Sequence, residues 1–358
     1  MNNKQNKVQQ ETHNDLLRKR FYFSDWLAKV LIKTIAFISF LSIILIFVFV
    51  FREALPIFSY EEVKSAYTEE ELEQETYGEE NVTIQSPQKS ENKSSVLNSS
   101  SEQNKSIWEN IFSTVWEPIS SQPKYGIIPL VLGSFKVTLI AILIAAPIGI
   151  LSALFTSTFA PKWAKEILKP AIEILAGFPS VVIGFFALIV MATFFQNIFG
   201  YQYRLNAFVG GVAMSLAVIP IIFTVTEDSL SAIPKSYIEA SLALGAEKWQ
   251  TALFVVLPAA TPGIFAAVLL GIGRAFGETM IVLMATGNAA LISPSIFEPV
   301  RTMSATIGAE MAEVVFGELH YNILFLLGSI LFIFTFTLNA IAEFYVRNKL
   351  LKKFGGEK

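Results

Sequence analysis

The apolar positions of this chain run in blocks instead of alternating with polar ones. Six stretches, near 30–51, 127–155, 171–198, 207–227, 262–286 and 321–346, are apolar over about the 20 residues that a helix needs to cross a bilayer core. Pro179 and Pro220 fall inside the third and fourth. Proline is tolerated in membrane helices when neighbours satisfy the freed backbone groups. Gly133, Gly149, Gly184, Gly271, Gly273 and Gly277 lie within these blocks. They read either as close-packing points between helices or as the ordinary glycine enrichment of membrane helices. The pattern predicts an all-α, polytopic membrane protein with six transmembrane helices.

The polar connections predict its organisation. Arg18, Lys19, Arg20 and Lys29 bracket the approach to the first span, and Lys162, Lys165 and Lys169 lie between the second and third. Lys235 and Lys248 lie between the fourth and fifth, and Arg347, Lys349, Lys352 and Lys353 follow the sixth. With six spans, all these groups face one side, which the distribution of Lys and Arg marks as cytoplasmic, with both termini inside. The expected divisions are a cytoplasmic tail at 1–28, a first transmembrane helix at 29–56, an acidic extracytoplasmic insert at 57–125, a five-span core at 126–346 and a cytoplasmic tail at 347–358. Within the insert, roughly 60–105 has too few apolar residues to build a core and reads as flexible. Trp108, Ile111, Phe112, Val115 and Trp116 recur at helical spacing, which predicts an amphipathic helix over 106–120 with its tryptophans at headgroup level.

Composition narrows the function classes. The chain is 53% hydrophobic and 16% charged, against about 25% charged in an ordinary soluble domain. It has no cysteine and two histidines, His13 and His320, so thiolate chemistry is excluded and no metal centre is expected. A long polar stretch precedes the first apolar run, so that run reads as a retained anchor and not as a secretory signal. No G-x-x-x-x-G-K-[ST] phosphate loop occurs, so ATP hydrolysis on this chain is not expected.

The stretch YIEASLALGAEKWQTALFVVLPAATPG, 237–263, reads as two short amphipathic helices around a turn at Gly245, ended by Pro258 and Pro262 before the fifth span. It is either a hairpin lying on the membrane surface or an element that docks into a partner's groove. Glu239-Ala240-Ser241, three residues, Gly245, nine residues and then Val255-x-Leu257-Pro258 resembles the EAA loop of ABC-transporter permeases. Ser241 and Val255 depart mildly from the family's E-A-A and I-x-L-P. The resemblance implies a MetI-like permease fold and a coupling loop at 237–258 that packs into a cleft of a separate ATPase subunit. Glu239, Ala240, Gly245, Leu257 and Pro258 would carry that coupling.

Arg274 and Glu278 stand four apart in the apolar fifth block, which places them on one face of a helix. A charge at mid-membrane costs about 2.5–3.5 kcal/mol on insertion scales, so it needs a reason. One reason is a structural ion pair, although Arg before Glu is the less favourable order within a helix. The other is an anion met in a hydrated path. A guanidinium binds two oxygens of a tetrahedral oxyanion at once. An acceptor-only carboxylate favours an anion that still carries a proton, as hydrogen phosphate does and sulfate does not. Ser180, Thr224 and Thr226 either line such a path or pack between helices. Glu173 is expected at the start of the third span, Glu227 and Asp228 at the end of the fourth, and Arg301, Glu310 and Glu313 in an outer loop facing a binding protein.

GRAFGETM, 273–280, resembles the arginine–glycine–glutamate segment of phosphate permeases of the Pst type. AGFPSVVIGFFAL, 176–188, and RTMSATIGAEMAE, 301–313, resemble further segments of that group, the latter more like its C-type subunit than the A-type one. The resemblance covers about 127–346 and not the acidic insert. It implies a permease subunit of the bacterial inner membrane that moves inorganic phosphate. The implied partners are a second permease of the A type, two ATPase subunits and an extracytoplasmic phosphate-binding protein, with no cofactor and no nucleic acid. The alternatives are another oxyanion (sulfate, molybdate, phosphonate), the A-type subunit itself, an intramembrane enzyme using Glu278, and a sensor acting through the acidic loop.

Overall fold

Inside hydrocarbon every backbone N–H and C=O must find its partner within the protein, and a helix does this locally. The computed structural model describes residues 23–59 and 107–354, and six of its helices are long and apolar enough to cross a membrane. The N-terminal 22 residues, positions 60–106 of the acidic insert and the last four residues lie outside the described part. The expectations for the N-terminal basic cluster and for a flexible insert therefore fall outside it too.

The described residues form two units that part after Arg52. The first is built on helix α1, Phe23–Ala54, which is apolar on every side and carries no polar stripe. That is the composition of a helix surrounded by apolar material.

The second unit opens with a 3-10 turn, Leu55–Ser59, and a short helix α2, Ile107–Ile111. Strands β1, Trp116–Glu117, and β2, Lys124–Tyr125, pair antiparallel with Trp116 opposite Tyr125. The helix expected over 106–120 is thus cut to five residues. Pro118 disfavours helical geometry at Glu117. The Asn110 side chain supports the hairpin instead: its amide donates to the Pro123 carbonyl at 3.0 Å and its oxygen accepts the Tyr125 N–H at 2.7 Å. Trp116 is consequently buried, whereas Trp108 is exposed.

Five spans follow. They are α3, Ile128–Phe159, α5, Ser180–Phe199, α6, Ala207–Ser231, α8, Lys248–Phe276, and α11, Leu319–Phe354. Between them lie α4, Lys162–Gly177, α7, Lys235–Ala243, α9, Met280–Ala285, and α10, Met303–Glu310. Helix α6 packs against both α3 and α8, and α11 packs on α8. Small residues permit this approach. A Cβ on Gly149 of α3 or on Gly271 of α8 would come within 2.9 Å of the Ile222 side chain on α6. The core they enclose runs through Val137, Ala141, Ala213, Val218, Ile222, Ala267 and Ile281.

Two spans begin and end elsewhere than their apolar runs suggest. The third starts at Ser180, because Phe178 before Pro179 is extended and breaks the chain off from α4. Helix α4 is a separate amphipathic helix, with Trp163, Ile167 and Ile174 exposed along it. The fifth starts at Lys248 and stops at Phe276. Pro258 and Pro262 lie inside α8 instead of ending a pattern before it, and a π-turn at Ala252–Val256 precedes them. Such turns relieve the hydrogen-bond ladder where a proline cannot donate.

Candidate functional site

Two features carry chemistry, at the two ends of α8. At its N-terminal end, α7, Gly245 and the first turn of α8 form a helical hairpin. Gly245 has φ +86°, the left-handed region that glycine adopts without a Cβ penalty, and nothing packs against it. Beyond it the Gln250 side chain accepts the Glu247 N–H at 2.8 Å, and the Trp249 indole donates to the Glu247 carboxylate at 2.7 Å. Ser241 and Thr251 join the two arms through their hydroxyls at 3.0 Å. The serine that departs from the EAA pattern is therefore structural here, a role the sequence alone did not suggest. Glu239 and Ala240 are exposed, Leu257 is half-buried, Pro258 is exposed, and Leu244 is 89% exposed at the tip. Ile233, Ala252 and Val256 anchor the hairpin to Leu154 and Phe223.

At the other end, α8 stops at Phe276 and residues 277–279 form a break before α9. Arg274 lies in the last turn of the helix and Glu278 in the break, so the two do not share one helical face as their spacing implied. The break still brings them together. Arg274 Nη2 lies 3.8 Å from Glu278 Oε2, an ion pair too long for a hydrogen bond. The Arg274 side chain is 54% exposed, while that of Glu278 is 7% exposed. Glu278 is fixed through its backbone: its N–H donates to the Ala275 carbonyl at 3.2 Å, and its C=O accepts the Ser304 hydroxyl at 2.6 Å. Ser180 opens α5, one turn from Gly184, which lies against the Met280 carbonyl. Thr224 is exposed on α6, and the buried Thr226 hydroxyl has no hydrogen-bond partner among the described residues. Among the described residues, no side-chain hydrogen bond joins Ser180 or Thr224 to the charged pair.

The remaining charges differ from expectation. Glu173 lies exposed on α4, outside the third span. Glu227 sits within α6, paired with Lys169 at 3.0 Å. Arg301 and Glu310 are turned inward: Glu310 takes Arg301 at 2.6 Å, the His320 ring at 2.9 Å and the Trp116 indole N–H at 3.1 Å. Only Glu313 of that trio is exposed. Burial pushes the Glu310 carboxyl upward, but the His320 hydrogen bond, the Arg301 charge and the Trp116 donor outweigh it, and its pKa lies below the usual value. Burial, with the Glu318 and Glu310 charges, raises the Tyr125 hydroxyl to about 12. A carboxyl held low in the fold contributes stability above its unfolded pKa, near 4.3, and loses it as pH falls through the folded value. The detergent-solubilised chain is expected to lose thermal stability on acidification below about pH 4. Glu310→Gln should lower the melting temperature at pH 7 and flatten this acid limb. A limb unchanged in the variant would assign it elsewhere.

A long, proline-bearing span, joined at one end to an exposed helical hairpin and broken at the other beside a charged pair, defines a multi-pass membrane transport subunit. The family described as "Binding-protein-dependent transport system inner membrane component" matches residues 145–349, and the chain belongs to it. It is a permease subunit of an ABC importer. It is similar to the probable ABC transporter permease protein YqgH of Bacillus subtilis (strain 168), at 39% identity over 64% of this chain and 74% of that one. It is also similar to the phosphate transport system permease protein PstC of Mesorhizobium japonicum, at 34% identity over 65% of this chain and 76% of that one. A solved structure of the inward-facing MetNI methionine ABC transporter aligns with 62% of this chain and 94% of its own, at 21% identity and a TM-score of 0.45.

Proposed function

We propose that this chain is the C-type permease subunit of a phosphate importer and that Arg274 is the residue its cargo meets. The observation that carries the reading is the half-exposed guanidinium at the end of an apolar span, beside a helix break. A charge there does not face lipid, so it faces either a hydrated path or a partner subunit that completes one. Glu278 lies beside it, buried, as an acceptor for the proton of hydrogen phosphate. The segment GRAFGETM and the PstC relatives support phosphate over other oxyanions. Ser180 and Thr224 are the polar side chains assigned to the same path. The exposed hairpin, with Glu239, Ala240 and Gly245, is the surface offered to an ATPase subunit, and hydrolysis takes place on that partner. The full assembly has a second, A-type permease, two ATPase subunits and an extracytoplasmic phosphate-binding protein. The segregation of basic residues supports a cytoplasmic hairpin and cytoplasmic termini.

The test is ATPase stimulation in the purified complex with its binding protein across phosphate, sulfate, molybdate and phosphonate. Phosphate is expected to stimulate most strongly. Stimulation by molybdate without stimulation by phosphate would replace the cargo while leaving the permease class intact.

A further inference from the structure

The carbonyl of Glu278 lies at a seam between two helices. The ladder of α9 begins at the next residue, where the Leu283 N–H bonds the Thr279 carbonyl at 3.0 Å. The carbonyl before it is left to a side chain from another element, the Ser304 hydroxyl of α10, at 2.6 Å. Both residues are buried. Helix α10 is itself tightly held. Thr302 caps it by accepting the Ala305 N–H at 3.2 Å, and Ser134 of α3 accepts the Met303 N–H at 3.0 Å. Gly308 presses against the Thr279 methyl so closely that a Cβ there would collide with it. At the far end Glu310 is clamped by Arg301, His320 and Trp116.

We propose that Ser304 is a positioning residue for the anion site: it fixes the peptide that carries Glu278 and thereby sets where the carboxylate stands relative to Arg274. This rests on the reading of Arg274 and Glu278 as the site where the cargo binds. In the segment 301–313 the hydrogen bond to the break is made by this hydroxyl. Without it a buried carbonyl loses its side-chain donor, and the break is free to settle into other geometries.

Titration of inorganic phosphate into the purified permease complex, without the binding protein, tests this. Ser304→Ala is expected to raise the phosphate Kd about tenfold, the loss of a single buried hydrogen bond, with the complex still assembled. Thr306→Val is the control: it removes a hydroxyl bond of the same helix, to the Thr302 carbonyl at 2.8 Å, and is expected to leave the Kd unchanged. An unchanged Kd in Ser304→Ala, an equal rise in Thr306→Val, or failure of Ser304→Ala to assemble overturns the positioning role. Arg274→Gln is measured in parallel. If it abolishes phosphate binding while Ser304→Ala does not change it, only the Ser304 inference falls. If Arg274→Gln binds phosphate as the parent does, the site reading falls and the inference with it.

Discussion

Arg274→Gln is expected to lower phosphate uptake by about a hundredfold or more, the scale of losing one partner of a closely held charge pair. The mutant complex should still assemble, because the side chain is half-exposed. Arg274→Lys should retain part of the activity. An ammonium keeps the charge but loses the planar fork that grips two oxygens together. Uptake into reconstituted vesicles, read beside size-exclusion profiles of the complex, checks both. Loss of assembly together with uptake would show that the pair is a structural brace and that the cargo binds elsewhere. Glu278→Gln adds a second arm. It keeps the shape and removes the acceptor-only character, so phosphate should lose its advantage over fully deprotonated anions.

The second large effect belongs to the hairpin. Glu239→Lys reverses a charge on an exposed turn of α7 with no packing at stake. If α7 docks on an ATPase, opposing charges meet like ones, at a cost of several kcal/mol, and ATP-driven uptake should fall by at least about tenfold. Gly245→Val should act in the same direction by another route. A β-branched residue is disfavoured at φ +86°, so the two arms are re-aimed although nothing crowds the site. Glu239→Lys should melt at the parent temperature and Gly245→Val somewhat below it, and both should bind phosphate normally. The signature is therefore intact cargo binding with stimulation of the ATPase lost. A hairpin that merely lies on the membrane would leave stimulation untouched.

The six spans were legible because each needs only a long apolar run, and the hairpin because the turn at Gly245 is local. What lay beyond the sequence was contextual. The third apolar run begins at 171, yet its first part is the end of α4, an amphipathic helix whose stripe merges with the span across Pro179. Arg274 and Glu278 do meet, but not along one helical face. Their spacing suggested one helix, and Gly277 ends that helix between them. The helical period at 106–120 gave way to a turn because Asn110 offers the backbone of 123–125 its own side chain. The Glu310 clamp draws Trp116, Arg301 and His320 from three separate segments, and no spacing in one segment signals it. The Ser304 bond to Glu278 spans 26 residues and was missed for the same reason.

Helix α8 joins the hairpin to the charged pair without an intervening loop. From Lys248 to Phe276 it is continuous helix over 29 residues, roughly 40 Å long at 1.5 Å per residue. A tilt imposed near Trp249 must pass the π-turn at Ala252–Val256 and then Pro258 and Pro262 before it reaches Arg274, and Gly277 is the joint beyond that residue.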